Sequence, residues 1–371
     1  MSKEYLLLKA TGTNSEELLA SLLSQSDATQ FQANIGFIYA TDLVVNKLDL
    51  MMQSLQTHFD VNHWVGTVGV GICCSGVEYY DEPAIVILLA KNLNPQIFSI
   101  PDLTPTTGPS LLPLNVDHNQ PSLAVIHGNP GQDNFMTTFQ QLSEQMPSTY
   151  FVGGLTSSKT ESPQILNGVI NTGFSGAFFE DSSQVVVAHT QGCEPIGQSH
   201  VITEAQDNRV IQIDHRPALD VMKEEIGEVL ARDLQQIAGY IFAGFPIEHA
   251  DTNDYLVRNI IGFDLDQSSI FIGDYVNEGA AMMFCRRDGN SAIVDMQRML
   301  EEITSRLVQP AKAALYYSCL ARGRNQFGND SEELKLIESH LGDIPLVGFF
   351  ANGEILHQRL YGYTGVLTIF T

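Results

Sequence analysis

The sequence has few cysteines, few basic residues and no long apolar run, and each shortage excludes a class of protein. Five cysteines, an odd number without a Cys-x-x-Cys pair, fit neither a disulfide framework nor a structural zinc site. With 19 basic against 43 acidic residues, the formal net charge is −24, which repels phosphate backbones and anionic bilayers. Reduced thiols are therefore expected, and nucleic acid is not expected as a partner.

Signals for export and membrane insertion are also missing. The longest clean apolar run, Ala84 to Ala90, cannot span a bilayer, and the run Leu6 to Leu8 is too short for a signal-peptide core. The sequence therefore predicts a cytoplasmic protein without membrane insertion. An apolar content of 44% in 371 residues is enough for a substantial core and for two domains.

The common catalytic motifs are absent from the chain. It contains no GxxxxGK[ST], HExxH or GxSxG, so phosphate-cradling, zinc-protease and serine-hydrolase signals are missing. The stretch 69–74 approaches the dinucleotide fingerprint GxGxxG but places Cys74 where the third glycine belongs. These absences favour binding over catalysis.

What the chain does contain is one unit that occurs three times. Each copy carries a small polar turn of the form Gly-x-x-x-Ser/Asn-Gly/Ser, at 71–76, 153–158 and 348–353. Around each turn the predicted order is strand, helix, strand, turn, strand. Glycine permits close backbone approach, while Ser, Thr and Asn offer donors and acceptors beside exposed amides. Turns of this kind can line a ligand site if they converge.

The spacing of the units predicts an α/β protein with two related layered domains and mixed sheets. The first two units precede a polar break near residue 220, and the third is C-terminal. We therefore expect a lead segment over 1–30, one domain over 31–220 and a second over 221–371. The two domains are expected to bury apolar surface against each other.

Helices and a connection are predicted around this boundary. A helix with one apolar face should begin at Asp220, and a second should run from Ile293 to Val308, stopped by Pro310. The proline-rich stretch 92–121 is expected to be an extended connection.

The C-terminal motifs resemble those of a known family. Residues 344–355, followed by 360–367, look like the end of a FIST C-terminal domain, and 318–323 resembles a strand-end motif of that domain. Residues 151–158 and 71–76 are similar to parts of the FIST N-terminal domain, and the resemblance extends over most of the chain. It implies a sensory module of signal transduction that binds small ligands.

The resemblance also carries expectations about ligands and partners. It implies amino acids as ligands, and haem binding with nitric oxide sensing in some members. Because nothing in the chain resembles a kinase, cyclase or methyl-accepting segment, the signal would pass to a separate protein. A histidine kinase or a cyclic-dinucleotide signalling protein is the kind of partner expected.

Charged residues beside the turns are the candidate ligand contacts. Arg322 follows a buried strand, and Glu354 and Glu78 follow the third and first turns. An Arg for a carboxylate and a Glu for an ammonium would suit an amino acid, whereas pairing within the protein is the structural alternative. Arg322 and Glu354 are expected at a shared rim. The predicted ligand contacts are Ser75, Glu78, Thr156, Ser157, Arg258, Glu278, Cys319, Arg322, Asn352 and Glu354.

Cysteine chemistry is the rival hypothesis. A cysteine-dependent enzyme would use Cys319, beside Arg322, or else Cys73 or Cys74, with a distant histidine as base. A structural thiol packed in the core is the favoured interpretation of Cys319, and no local motif supports the enzyme.

Haem ligation by a histidine is a subtype of the sensor hypothesis, and a pure interaction scaffold without a pocket is the third possibility. His127 ends a strand before a Gly-Asn-Pro-Gly loop, the position we assign to Cys319 in the third unit. It is the first candidate for a haem ligand, ahead of His340 and His357.

Overall fold

The protein is described by a computed structural model. The described residues are 3–25, 31–101, 122–132, 134–171, 173–180, 182, 184–227, 234, 237, 239–247 and 254–371. They fall into two compact units: unit 1 is Met1–Thr190, Met296–Leu360 and Thr364–Thr371, and unit 2 is Gln191–Asp295 and Tyr361–Tyr363.

The helices and strands follow one another as mixed α/β elements. The first are β1 (Tyr5–Thr11), α1 (Ser15–Leu23), β2 (Ala33–Thr41), α2 (Leu48–His58), β3 (Val61–Gly69), β4 (Gly71–Cys74), β5 (Val77–Tyr80) and β6 (Ala84–Ala90). The next are β7 (Gln96–Ile100), β8 (Ser122–Gly128), α3 (Phe135–Gln145), β9 (Thr149–Leu155), β10 (Gln164–Leu166), β11 (Val169–Ile170), β12 (Phe174–Phe179) and β13 (Val185–Gln191). They are followed by β14 (Cys193–Gln206), β15 (Arg209–Ile213), β16 (Arg216–Pro217), α4 (Ala218–Ile226), β17 (Ile241–Pro246), β18 (Tyr255–Asp264), β19 (Ser269–Ile272) and β20 (Ala281–Arg287). The last are α5 (Gly289–Arg306), β21 (Ala313–Cys319), α6 (Glu332–Leu341), β22 (Leu346–Ala351), β23 (Glu354–Leu356), β24 (Arg359–Tyr361) and β25 (Thr364–Phe370).

Unit 1 contains the predicted repeat in three copies. Repeat 1 is β2, α2 and β3 to β6, repeat 2 is β8, α3 and β9 to β12, and repeat 3 is β21, α6 and β22 to β25. In each copy the first two strands pair in parallel, and the last strand pairs antiparallel with the first. The predicted common order of strands and helix is therefore confirmed, as is the mixed α/β class.

The hairpins of the three repeats are exchanged cyclically. The sheet orders are β1-β6-β2-β3-β10-β11, β7-β12-β8-β9-β23-β24 and β13-β25-β21-β22-β4-β5, here called sheets 1, 2 and 3. The hairpin of repeat 2 thus extends sheet 1, that of repeat 3 extends sheet 2, and that of repeat 1 extends sheet 3. Each repeat covers the otherwise open edge of its neighbour, which ties the three together.

The strand register corrects the predicted equivalence of the turns. The equivalent glycines are Gly66, Gly153 and Gly348, because a Cβ at each would lie within 1.8 Å of a carbonyl oxygen of the neighbouring first strand. Only glycine tolerates that approach. The predicted first turn begins five residues later, at Gly71, and its end forms the bend between β4 and β5.

The same register corrects the position assigned to His127. In each repeat, one residue of the first strand has the carbonyl that the equivalent glycine approaches. The next residue along that strand is Tyr39 in repeat 1, His127 in repeat 2 and Tyr317 in repeat 3. His127 therefore corresponds to these tyrosines, and Cys319 lies two residues further along its strand. The error arose because β8 and β21 end at different points of the repeat.

Helices cover one face of each sheet in unit 1. The first apolar cluster joins Leu18 and Leu22 of α1 and Met52 and Leu55 of α2 to the strands of sheet 1. Fully burying one such side chain stabilises the fold by roughly 1.5–3 kcal/mol.

The sequence predicts helix α5 over 293–308. In the structure it begins four residues before the predicted start and ends two residues before the predicted end.

Unit 2 is one antiparallel sheet with a helix against it. Its strand order is β14-β20-β17-β18-β19-β15-β16, and α4 buries Leu219 and Met222 in the same apolar cluster as Val210 and Phe284. Part of the helix predicted from residue 220 is found in α4, and its later apolar positions, Val229 and Leu230, lie outside the described residues.

The predicted domain boundary near residue 220 and the apolar contact between the two domains stay predictions. The lead segment 1–30 contributes β1, which pairs with β6 along its whole length. The connection 92–121 contributes β7 at the edge of sheet 2, and 102–121 lie outside the described residues. Within the described part of the chain, no helix is both long and apolar enough to cross a membrane.

Candidate functional site

A buried ion pair lies just beyond the end of β21. Arg322 and Glu333 are both fully buried, and the arginine Nε donates to a carboxylate oxygen at 2.8 Å. Glu333 also accepts from the Tyr316 hydroxyl at 2.7 Å, the Ser318 hydroxyl at 3.0 Å and the Gly323 amide at 2.8 Å. A buried charge is tolerated when it is paired and hydrogen-bonded in this way. The structural alternative for Arg322, an ion pair with a carboxylate of the protein itself, is therefore found, and Glu333 is the partner.

Glu354 is the second carboxyl of this group. It follows the third turn directly, is fully buried, and accepts from the Thr364 hydroxyl at 2.8 Å and the Thr364 amide at 3.1 Å. Burial raises its pKa to about 8, although hydrogen bonds from Thr364 and the charge of Arg322 act to lower it. A hydrogen bond from Cys319 acts in the same direction, which places that thiol beside the carboxyl. The electrostatic interaction of Arg322 and Glu354 agrees with the predicted proximity, but both side chains are fully buried, so they do not lie at a rim.

Glu78 reaches the same group from another repeat. It lies on β5, in the hairpin that repeat 1 contributes to sheet 3, and its amide donates to Ser331 Oγ at 2.8 Å. Burial, and then repulsion from Glu333, raise its pKa to about 8. We call Glu78, Cys319, Arg322, Glu333 and Glu354 the Arg322 cluster.

The charge balance of the Arg322 cluster explains the raised pKa values. Glu333 and Glu354 interact with Arg322, whereas Glu78 is repelled by Glu333 and attracted by Arg324, so ionising all three carboxyls would leave excess negative charge in the interior. Protonation of Glu78 and Glu354 removes that excess. Among the described residues the Nη1 atom of Arg322 has no hydrogen-bond partner. The cluster therefore holds exchangeable protons on two carboxyls, together with an arginine that has an Nη1 donor available for a hydrogen bond.

Glu333 is the member that sequence reasoning missed. It stands beside Glu332 at the start of α6, and the sequence does not by itself say which of the two faces inward. The available signal was helical spacing, because Glu333 shares a face with Ile337, four residues later, while Glu332 pairs with Lys335 at the surface.

Two predicted turn residues join strands. Ser75 Oγ donates to the Ile344 carbonyl at 2.7 Å and accepts from the Leu346 amide at 3.1 Å. Asn352 is exposed, and its amide donates to the Leu155 carbonyl at 2.9 Å. Both sets of contacts hold one repeat to another.

The turn of repeat 2 is held in the same manner. Thr156 and Thr67 share a hydrogen bond between their hydroxyls at 2.6 Å, and Ser157 Oγ donates to the Phe350 carbonyl and accepts from the Val70 amide. The small polar side chains of this turn therefore hold its backbone in place by hydrogen bonds to repeats 1 and 3.

The remaining predicted contacts are made within unit 2. Arg258 Nε donates to Asp274 at 2.8 Å, and Glu278 accepts from the Ala205 amide at 3.2 Å. The charge partner of Arg258 is thus Asp274, and Glu278 serves a backbone amide.

Cys73 and Cys74 do not have the surroundings of activated thiols. Burial raises the pKa of each, which is the opposite of what a nucleophile needs. Cys319 is 8% exposed and lies beside Glu354, to which it is hydrogen-bonded.

A second buried polar group joins the three repeats. The Tyr39 hydroxyl contacts His127 Nε2 at 3.1 Å and the Tyr317 hydroxyl at 2.8 Å, and Phe349 packs against all three rings. Burial lowers the pKa of His127 to about 3, so its imidazole is neutral. We call Tyr39, His127 and Tyr317 the His127 triad.

The surroundings of His127 do not fit a haem ligand. Its side chain is fully buried, Nε2 is occupied by Tyr39, and rings stand within 6.3 Å of its own. An axial ligand must face a cavity that holds the porphyrin. Of the lesser candidates, His340 contacts the Leu336 carbonyl at 2.9 Å and His357 packs on Tyr150. Across the described residues, no three His, Cys, Asp or Glu side chains are grouped to hold a metal ion.

Comparison with known proteins supplies the family. A family model described as FIST N domain matches residues 34–216, and one described as FIST C domain matches residues 218–357. The chain therefore belongs to the FIST family, whose domains are sensory modules of signal transduction.

Relatives match along most of their length. An uncharacterized protein of Mycobacterium bovis is 28% identical over 357 residues, which cover 93% of this chain and 91% of that protein. An uncharacterized protein of Mycobacterium tuberculosis is 26% identical over 332 residues, which cover 86% of each chain.

Proposed function

We propose that the protein is a sensor that binds a small polar molecule at the Arg322 cluster, with amino acids as the first class of ligand. The observation that carries the proposal is the buried pair of Arg322 and Glu333 with two further carboxyls beside it, Glu354 next to Arg322 and Glu78 next to Glu333, both with pKa values near 8. Perturbed, buried ionisable groups collect at functional sites because the site uses their charge.

The chemistry of the cluster matches an amino acid in two ways. A ligand ammonium would replace the protons on Glu354 and Glu78, since a positive charge beside these carboxyls favours their ionised forms. The ligand carboxylate would accept a hydrogen bond from the Arg322 Nη1 atom.

Entry to the cluster would require movement of the exchanged hairpin. Glu78 belongs to β5, the last strand of sheet 3, and the hairpin is held to repeat 3 by side-chain contacts that include those of Ser75 and Ser331 and the packing of Tyr80 on Phe350. Because that hairpin belongs to repeat 1 and pairs with repeat 3, its displacement would change the shape of both. Such a change is a suitable signal for a separate output protein, such as a histidine kinase or a cyclic-dinucleotide signalling protein.

Calorimetry in buffers of different ionisation enthalpy tests this function. Amino acids should bind with release of protons near pH 7, because Glu354 and Glu78 give up protons to receive the ammonium. Glu354→Gln should reduce both affinity and proton release, whereas Glu332→Gln, which changes an exposed carboxyl on α6, should change neither.

Two outcomes would contradict the proposal. Binding of no amino acid by the wild-type protein would remove the ligand class, and binding without proton release would remove the Arg322 cluster as the site. Rapid labelling of Cys319 by a thiol reagent below neutral pH would instead support the cysteine-enzyme hypothesis.

A further inference from the structure

A cavity of about 470 Å³ lies in unit 1, away from the residues of both polar groups described above. Its position follows from the repeat. The last strands β6, β12 and β25 end at Ala90, Phe179 and Phe370. These three positions are equivalent in the repeat. Each pairs with a residue of the first strand that lies four positions before Tyr39, His127 or Tyr317, respectively. Phe179, Phe370 and Lys91, the residue after Ala90, line the cavity. It is thus built where the final strands of all three repeats end.

One wall of the cavity is aromatic. Phe179 and Phe370 both contact the ring of Phe37, with ring centroids 6.4 and 6.3 Å apart, and Tyr5 packs on Phe370 at 5.8 Å. Because these rings pack on one another, Phe179 is only 4% and Phe370 only 2% exposed, and they present a small apolar surface to the cavity.

The polar wall contains two lysines, Lys312 and Lys91, which differ in their ion pairing. Lys312 is paired with Glu4 at 2.9 Å, and Glu180 accepts from Gln96 at 2.8 Å. Lys91 makes no ion pair with any described residue, and its ammonium stands 4.0 Å from the centre of the Phe31 ring. In a protein with a net charge of −24, an ammonium at a cavity without a carboxylate partner is available to an anion.

We infer that this cavity binds a small organic carboxylate. The carboxylate accepts a charge-assisted hydrogen bond from Lys91, next to the small apolar surface of Phe179 and Phe370. The volume is within the range of about 300–1,000 Å³ common for small-molecule sites. The inference is independent of the proposed function, since it uses no residue of the Arg322 cluster.

Fluorine NMR with 4-fluorobenzoate as the probe tests the inference, with neutral 4-fluorobenzamide as the shape-matched control ligand. Wild-type protein should bind the benzoate at least about tenfold more tightly than the benzamide, because only the former pairs with Lys91. Lys91→Gln should weaken the benzoate by about tenfold or more, Lys91→Arg should keep most of the affinity, and Lys47→Gln, which changes an exposed lysine elsewhere, should have no effect.

Three results would overturn the inference. They are absence of benzoate binding to the wild-type protein up to about 10 mM, equal affinity for benzoate and benzamide, and unchanged affinity in Lys91→Gln. The ligand comparison uses only the wild-type protein, so it decides even if a variant fails to fold. Glu354→Gln should leave benzoate binding unchanged, which separates failure here from failure at the Arg322 cluster.

Discussion

The Arg322 cluster and the His127 triad are both buried polar groups of unit 1, and they solve the cost of burial in different ways. The triad contains only neutral groups, since the pKa of His127 falls to about 3 and its partners are tyrosine hydroxyls. The cluster keeps one charge pair, Arg322 and Glu333, and neutralises its other two carboxyls by protonation.

The difference follows from where each group lies in the repeat. The triad occupies one equivalent position of three first strands, so each repeat supplies a single side chain. The cluster combines a strand end, a helix start and an exchanged hairpin, and it has no counterpart of the same composition in repeats 1 and 2 among the described residues. A repeated position holds the repeats together, whereas a position that differs among them is available for function.

Removing Glu333 should produce the largest effect. Glu333→Ala leaves the guanidinium of Arg322 buried without a counter-charge, which should lower the free energy of unfolding by about 3–5 kcal/mol. Urea denaturation measures the change, and Glu332→Ala should stay within about 0.5 kcal/mol of wild type. A loss below about 1 kcal/mol in Glu333→Ala would mean that the pair is solvated and the contrast with the triad is false.

The pH dependence of stability should distinguish the cluster. The folded pKa of Glu354, about 8, lies above the ordinary carboxyl value of 4.5, so its contribution to stability is complete below pH 4.5 and is lost as pH rises toward 8. The slope should reach up to about 1.4 kcal/mol per pH unit for this group. Glu354→Gln, which is neutral throughout, should flatten the curve over that window.

The measurement is a series of urea unfolding curves from pH 5 to 8. Because Glu78 contributes in the same direction, Glu354→Gln should reduce the slope without abolishing it. An unchanged slope in the variant would assign the proton uptake to other groups.

Much of this fold is predictable from the sequence, for physical reasons. Apolar runs such as 84–90 and the spacing of Met296, Met299 and Ile303 report burial directly, so the three repeats and α5 are found close to where they were expected. The exchange of hairpins was not predictable, because short strands such as β4 and β10 pair with a distant repeat and carry no local mark of their partner.

The candidate site is predictable only in part. Arg322, Cys319 and Glu354 stand out because they follow buried strands, but Glu333 is identified only by the contact it makes. The misplacement of His127 has the same origin, since strand ends are visible in a sequence whereas register is set by hydrogen bonds between strands.

The acid side of the pH profile should distinguish the triad. The folded pKa of His127, about 3, lies below the ordinary imidazole value of 6.5, so its contribution to stability is complete above pH 6.5 and is lost as pH falls toward 3. The slope has the opposite sign to that of Glu354. His127→Gln should flatten the curve between pH 6.5 and 4, while its Soret-region absorbance after haem addition should match wild type, since His127 is not placed to ligate iron.

The smallest expected effect is the loss of one hydroxyl from the triad. Tyr39→Phe removes the group that contacts both His127 and Tyr317 while keeping the ring that stacks on Phe349, so unfolding free energy should fall by about 1–3 kcal/mol. Tyr275→Phe, at an 80% exposed position, is the matched control and should show no change. If Tyr39→Phe did not change the free energy of unfolding while His127→Gln lowered it, the His127 triad would act through ring packing. The description of the triad as a group stabilised by neutral hydrogen bonds would then be wrong.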